Sequence, residues 1–108
     1  MKLKDRVAIV TGGGKGIGQE ICLGLVKEGA KIVIAEIDIE NSEKAKKKII
    51  EAGSEAIIIK TDVSNQNSIN EMVEQTIKHF GKIDILINNA GIRHVKKLLD
   101  HTKQDWDD

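Results

Sequence analysis

Glycines clustered directly after the first apolar run constrain this chain more than any other feature. The cluster occupies residues 12–18, between the run Val7–Val10 and a helical pattern, and reads Gly-Gly-Gly-Lys-Gly-Ile-Gly. Because glycine has no side chain, backbone N–H groups can approach a phosphate, and the positive end of a following helix favours its charge. The sequence therefore predicts a strand, a phosphate-binding turn and a helix start. The alternative is a tight turn that serves only close helix packing.

Short runs rich in Val and Ile alternate with helical patterns along the chain. The runs are Val7–Val10, Ile32–Ala35, Ala56–Ile59 and Ile83–Ile87. Continuous apolar runs of this length are typical of parallel strands covered on both faces. Strands that alternate with helices require right-handed crossovers, so the pattern predicts an α/β fold with a doubly wound parallel sheet. With the glycine turn after the first strand, as in dinucleotide-binding folds, the expected strand order is 3-2-1-4.

Capping residues and glycines predict where the helices begin and end. The second helix is expected to begin near Asn41 or Ser42, and the third to follow Ser64 as its N-cap and to end at Gly81. Apolar side chains recur at helical spacing and are expected to face the sheet. They are Ile17, Ile21, Cys22, Leu25 and Val26 in the first helix, Ala45, Ile49 and Ala52 in the second, and Ile69, Met72, Val73, Ile77 and Phe80 in the third.

The balance of charges and apolar residues excludes several classes of partner. Seventeen basic and seventeen acidic residues cancel, so no global basic field indicates binding to nucleic acid or to an anionic membrane. The basic run Lys46–Lys48 is expected to be a solvated helix face. No signal-peptide pattern and no apolar stretch near membrane-spanning length is present. The single cysteine, Cys22, cannot form an internal disulfide, which favours a cytoplasmic protein.

Three motifs at the carboxyl ends of predicted strands together resemble the start of the short-chain dehydrogenase/reductase family. They are Thr11–Gly18, Asp62-Val63 and Asn88-Asn89-Ala90-Gly91. The resemblance covers essentially the whole chain and implies a Rossmann-like oxidoreductase that transfers hydride between a nicotinamide dinucleotide and a carbonyl or alcohol. The turn is not a nucleoside-triphosphate P-loop, because Gly16 rather than Ser or Thr follows Lys15.

The cofactor-binding residues expected from the motifs and the resemblance lie at these strand ends. They are Gly12, Gly14, Lys15, Gly16, Ile17, Gly18, Glu36, Asp62, Val63, Asn89, Ala90 and Gly91. The resemblance implies that the Asp62 side chain and the Val63 amide contact adenine, that Ala90 and Gly91 leave room for the nicotinamide ribose, and that Asn88 ties neighbouring strands together. The alternative for Asp62 is a helix-entry cap beside Ser64.

Glu36 and Lys15 make opposite predictions about the cofactor. Glu36 ends the second predicted strand, where a carboxylate can accept hydrogen bonds from both adenosine ribose hydroxyls, although a solvated strand end is the alternative. In the family, a basic residue at the position of Lys15 often neutralises the extra phosphate of NADP. A carboxylate about 4 Å from that phosphate costs about 1–4 kcal/mol, whereas a lysine can turn to solvent. The sequence therefore favours NAD over NADP.

The catalytic residues of the family are expected later than residue 108. The family uses a Tyr-x-x-x-Lys pair, and this sequence contains no tyrosine. Residues 1–108 are therefore expected to form a partial dinucleotide-binding domain, truncated after the fourth strand and inactive alone, with no catalytic and no metal-binding residues. The alternative is a non-catalytic module that binds nucleotide or associates with itself. An apolar fourth strand at the sheet edge predicts such self-association.

Overall fold

Seven elements alternate strictly between strand and helix in the computed structural model, which describes residues 2–12, 14 and 16–89. In chain order they are β1 (Val7–Thr11), α1 (Gly16–Lys27), β2 (Lys31–Glu36), α2 (Ile39–Glu51), β3 (Ala56–Lys60), α3 (Gln66–Phe80) and β4 (Ile85–Asn88). Each predicted strand and helix is therefore present, and the boundaries of several differ from the prediction. None of the helices in this part of the chain is both long enough and apolar enough to cross a bilayer.

All four described strands form one parallel sheet in the order β3-β2-β1-β4, which confirms the predicted order. In the register of the sheet, Thr11 at the end of β1 lies beside Ala35 on one side and Asn88 on the other. Glu36 at the end of β2 lies beside Lys60. The carboxyl ends of the strands therefore meet at one edge, where open α/β sheets bind ligands.

The two faces of the sheet carry separate apolar cores. The face covered by α1 and α2 buries Ala8, Val10, Cys22, Val26, Ala30, Ile32, Ile34, Ala45, Ile49 and Ala56. The face covered by α3 buries Val7, Ile9, Val33, Ala35, Ile59, Ile69, Met72, Val73 and Ile83. Because β1 and β2 contribute alternate residues to both cores, their sequences are continuously apolar, as expected for strands buried on both sides.

The helix starts were predicted wrongly in two places, because an earlier or later residue provides the cap. Asp38 caps α2, and its Oδ1 atom accepts a hydrogen bond from the N–H of Asn41 at 3.2 Å. Asn65 rather than Ser64 caps α3, and its Oδ1 atom accepts from the N–H of Ser68 at 3.0 Å. The Ser64 hydroxyl instead donates to a carboxylate in the preceding turn.

The inward face of α2 also differs from the prediction. Ser42, Ala45 and Ile49 are its buried residues, whereas Ala52 is exposed and forms the C-cap of the helix. Ala52 lies where the helix has already ended, so its side chain no longer follows the buried stripe. In α3 the predicted apolar residues do face the sheet, and the helix ends at Gly81, whose left-handed φ of +84° confirms it as the helix stop.

The fourth strand begins at Ile85, later than the sequence predicted. Just before it, the Asp84 Oδ2 atom accepts a hydrogen bond from the N–H of Val7 at 2.8 Å. The same carboxylate pairs with Arg6 at 3.3 Å and with Lys82 at 3.2 Å. The side chain of Asp84 thus accepts the hydrogen bond from the Val7 N–H that a backbone carbonyl of a longer β4 would otherwise accept. It also joins the amino ends of β1 and β4.

Candidate functional site

A cleft of about 170 Å³ opens at the carboxyl ends of β1, β2 and β3. Its lining residues are Gly12, Ala35, Glu36, Ile37, Thr61, Asp62 and Val63. Four of these, Gly12, Glu36, Asp62 and Val63, come from separate parts of the sequence and were predicted as site residues. The fold therefore brings the glycine turn, the carboxylate after β2 and the motif after β3 to one place.

The glycine turn leaves β1 in a conformation that favours glycine. Gly12 has a φ of +65°, and its N–H donates to the carbonyl oxygen of Ala35 at 3.0 Å. Gly16, at the start of α1, has a φ of +57° and lies exposed, with open space where a Cβ would stand. Left-handed backbone at both positions disfavours any side chain there. Ile17 follows with 72% of its surface exposed, so the prediction that it faces the sheet is wrong. In the first turn of α1 the buried residue is Gly18.

Gly18 allows α1 to pack directly against the turn. A Cβ at this position would overlap the carbonyl oxygen of Gly12 and would lie 3.0 Å from Nδ2 of Asn89. Nδ2 of Asn89 donates to the same Gly12 carbonyl at 3.4 Å. The close-packing interpretation of these glycines is therefore correct for Gly18, and it is compatible with a turn that also binds phosphate.

A buried hydroxyl joins the ends of β1 and β4. Oγ1 of Thr11, which is fully buried, donates to Oδ1 of Asn88 at 2.9 Å and accepts from the N–H of Asn89 at 3.1 Å. Asn88 therefore ties neighbouring strands together, as the resemblance implied. Thr11 was part of the glycine motif but was not predicted as a site residue, because a threonine at a strand end has no distinctive pattern of its own.

The Glu36 carboxylate is held in place at the end of β2. Its Oε1 atom accepts hydrogen bonds from the N–H groups of Ile37 at 3.1 Å and Asp38 at 3.3 Å. Its Oε2 atom lies 3.6 Å from the position that a Cβ on Gly12 would occupy. One carboxylate oxygen is thus fixed by the backbone while the other is directed toward the glycine turn.

Asp62 organises the turn between β3 and α3 and also lines the cleft. Its Oδ1 atom accepts from the N–H of Ser64 at 3.0 Å and from the Ser64 hydroxyl at 2.6 Å. Its own N–H donates to Oγ of Ser68 at 2.9 Å. The alternative interpretation of Asp62 is therefore correct in part, because its carboxylate accepts hydrogen bonds from Ser64 in the turn that leads into α3. Asp62 and the half-buried Val63 also line the cleft.

The remaining predicted residues lie elsewhere or outside the described part of the chain. Gly14 is buried against the first turn of α2, beside Ser42. Lys15, Ala90 and Gly91 lie outside the described residues. Within the described ranges, no group of three or more His, Cys, Asp or Glu side chains could hold a metal ion. Burial raises the pKa of the Cys22 thiol to about 12, so this cysteine is a neutral core residue.

Comparisons with known proteins show which family the chain matches. The family described as short chain dehydrogenase matches residues 6–108 of the chain. An uncharacterized oxidoreductase of Thermotoga maritima is 39% identical over 105 residues, which cover 97% of this chain and 41% of that protein. General stress protein 39 of Bacillus subtilis is 43% identical over 99 residues, which cover 91% of this chain and 35% of that protein.

Solved structures share the fold as well as the sequence. An NAD+-bound xylitol dehydrogenase superposes with a TM-score of 0.82 at 37% identity, over 85% of this chain and 35% of that one. A hydroxysteroid dehydrogenase from Escherichia coli superposes with a TM-score of 0.80 at 32% identity, over 84% of this chain and 39% of that one. The chain thus spans well under half the length of these relatives. The family match and the identity over almost the whole chain show that it belongs to the short chain dehydrogenase family, whose members are oxidoreductases with a Rossmann fold that binds nicotinamide dinucleotides.

Proposed function

We propose that the strand-end cleft binds NAD. The diphosphate would lie on the turn of residues 12–18, which includes Gly12, Gly14, Lys15, Gly16, Ile17 and Gly18. The adenosine ribose would bond to Glu36, adenine would lie against Asp62 and Val63, and the nicotinamide ribose would lie near Asn89, Ala90 and Gly91. The observation that carries this proposal is the position of Glu36, whose carboxylate is fixed by two backbone amides beside Gly12.

The fixed carboxylate is also the reason to propose NAD rather than NADP. Because Oε1 of Glu36 is held by the amides of Ile37 and Asp38, moving the carboxylate away from a 2′-phosphate would break two hydrogen bonds. Leaving it in place costs about 1–4 kcal/mol of charge repulsion at about 4 Å. An ion pair between a solvent-exposed lysine and a phosphate is generally worth about 1 kcal/mol or less, so a lysine in the turn offsets only part of this cost.

Calorimetric titration with NAD, NADP and AMP tests this proposal. We expect NAD to bind more tightly than NADP, and Glu36→Ala to weaken NAD binding by about tenfold while reducing the preference over NADP. Glu55→Ala is the matched control, because Glu55 pairs with Lys31 at the opposite end of β2. Equal affinity of the wild-type protein for NAD and NADP, or an unchanged preference in Glu36→Ala, would contradict the assignment.

We further propose that a protein of the length of these relatives uses this site to transfer hydride between the nicotinamide and a carbonyl or alcohol. Residues 1–108 would then be a partial dinucleotide-binding domain, and the chain alone would not turn over a substrate, since it contains no tyrosine. The absorbance of the reduced nicotinamide would follow the reaction. Sustained turnover of a secondary alcohol by the purified chain would contradict this expectation.

We propose as a second function self-association through the outer edge of β4, and a separate observation favours it. Ile85, Leu86 and Ile87 are only half-buried, and no described strand pairs with the outer edge of β4. Exposed apolar edges promote pairing with another chain. Sedimentation from low to high micromolar concentration should therefore reveal a dimer or larger species, and a monomer throughout would exclude the proposal.

The single, unreactive Cys22 supports a reducing cytoplasm as the proposed location.

A further inference from the structure

The glycine turn contacts α2 as well as α1, through Gly14. This residue is buried, and a Cβ placed on it would lie 2.8 Å from Oγ, 3.1 Å from N and 3.2 Å from Cα of Ser42. Two of these three atoms belong to the backbone of α2, so they cannot move away as a flexible side chain could. The turn and the first turn of α2 are therefore in contact with no space for an added methyl group.

Ser42 is itself fixed by the residue that caps its helix. Its hydroxyl donates to the carbonyl oxygen of Asp38 at 2.8 Å, and its N–H donates to the same oxygen at 3.3 Å. The side chain is fully buried, which is unusual for a serine, and this hydrogen bond satisfies the hydroxyl. The position of Ser42 is thus determined by the junction between β2 and α2.

The same junction holds the carboxylate that is proposed to bind ribose. The N–H of Asp38 donates to Oε1 of Glu36, and the N–H of Gly12 donates to the carbonyl oxygen of Ala35. A closed ring of contacts therefore runs from the start of the turn, through the end of β2 and the first turn of α2, and back to the turn at Gly14. Its members fix the spacing between the turn and the carboxylate.

We infer that Ser42 is a positioning residue that sets the distance between the diphosphate-binding turn and the Glu36 carboxylate. The inference rests on the proposed NAD site. A ligand that contacts both groups requires their spacing to be correct within about 0.5 Å, because binding sites lose affinity when their supporting residues shift. A ligand that contacts only the carboxylate side does not need that spacing. Changes at the contact between Gly14 and Ser42 should therefore weaken ADP and leave adenosine binding unchanged.

NMR titration of Gly14→Ala with ADP and with adenosine tests the inference. The added methyl should move the turn, so we expect ADP to bind at least about tenfold more weakly while the adenosine dissociation constant stays within about twofold. Placing Ser42→Gly in the Gly14→Ala background removes the hydroxyl that lies closest to the new methyl. The double variant should recover part of the lost ADP affinity, which a purely destabilising effect of Gly14→Ala would not predict.

A second variant decides the question if Gly14→Ala does not fold. Ser42→Ala adds no volume and removes the hydroxyl beside Gly14 together with its hydrogen bond to Asp38. We expect about threefold weaker ADP binding with adenosine binding unchanged. Ser54→Ala is the matched control, because the Ser54 hydroxyl donates to the carbonyl oxygen of Ala30 at 2.6 Å, before β2 begins. Equal ratios of ADP to adenosine affinity in Ser42→Ala and Ser54→Ala would overturn the inference.

The wild-type titration separates this inference from the proposed function. If the wild-type protein binds neither ADP nor adenosine, the proposed NAD site is wrong and the positioning role falls with it. If the wild-type protein binds both, and Gly14→Ala weakens both by the same factor, only the positioning role of Ser42 is wrong. If Gly14→Ala loses affinity for ADP alone and the double variant recovers part of it, both the proposed NAD site and the positioning role of Ser42 are supported.

Discussion

Two glycines in α1 should respond in opposite ways to the same substitution. A Cβ on Gly18 would overlap the carbonyl oxygen of Gly12, and its next neighbour would be the Gly12 carbonyl carbon at 2.9 Å. Both atoms are backbone, so relief requires the turn to separate from the helix. A Cβ on Gly24, in the same helix, would meet nothing within 4 Å. The two positions therefore lie in one helix, Gly18 in its first turn and Gly24 in its interior, and they differ sharply in available space.

The magnitudes follow from two opposing terms. Alanine in place of glycine stabilises a helix interior by about 1 kcal/mol. Overpacking against atoms that cannot rotate away costs about 3 kcal/mol at the upper end of the usual range. We therefore expect Gly18→Ala to lower the free energy of unfolding by about 2 kcal/mol, and Gly24→Ala to raise it by about 1 kcal/mol.

Urea denaturation followed by circular dichroism measures both changes, and thermal unfolding gives an independent reading. For a domain of this size, each kcal/mol corresponds to a shift of about 4–8 °C in Tm. Gly24→Ala serves as the control, because it introduces alanine into the same helix at a position where the new methyl meets no neighbour. The reasoning is refuted if Gly18→Ala is as stable as Gly24→Ala, since the close contact between Gly18 and Gly12 would then carry no cost.

Two further predictions concern titratable groups. Burial acts to raise the pKa of Asp84, but the hydrogen bond from the N–H of Val7, the hydrogen bond and charge of Lys82 and the hydrogen bond from Arg6 outweigh it and hold this pKa below its ordinary value. A carboxyl group whose pKa is lowered by folding stabilises the folded state at pH values above its ordinary pKa. Asp84→Asn should therefore lower the free energy of unfolding by about 1 kcal/mol near neutral pH. Denaturation at a series of pH values should show the difference between wild type and variant disappearing below about pH 4. A gap that persists in acid would contradict the prediction. Cys22, with a pKa raised to about 12, should resist a disulfide-exchange reagent at pH 8 until urea unfolds the chain, and fast labelling of the native protein would contradict its burial.

Much of this fold could be predicted because its sequence signals are local or periodic. Continuous apolar runs identified the strands, and the glycine turn after β1 determined the strand order. Gly81 ends α3 because few other residues adopt the left-handed conformation that the helix stop requires. The cleft residues Glu36 and Asp62 were also predictable, since the carboxyl ends of parallel strands always meet at the same edge of the sheet.

The features that were not predicted depend on choices among neighbouring residues. Both helix starts offer several residues that can cap, and composition alone does not distinguish Asp38 and Asn65, which form the caps, from their neighbours. The burial of Ser42 could not be foreseen either, because serine on a helix is usually exposed and its contact with Gly14 joins distant parts of the chain. Periodicity identifies which face is apolar, but it does not identify which polar residue fills a gap.

The Asp84 network has a consequence for engineering this chain. The network lies at the first residue of β1, Val7, whereas the proposed ligand site begins just after the last residue, Thr11, which is about 13 Å further along this five-residue strand. Mutational effects separated by more than about 10 Å usually add without coupling. Substitutions around Arg6 and Lys82 can therefore adjust thermal tolerance at one end of the sheet while cofactor preference is redesigned at the other.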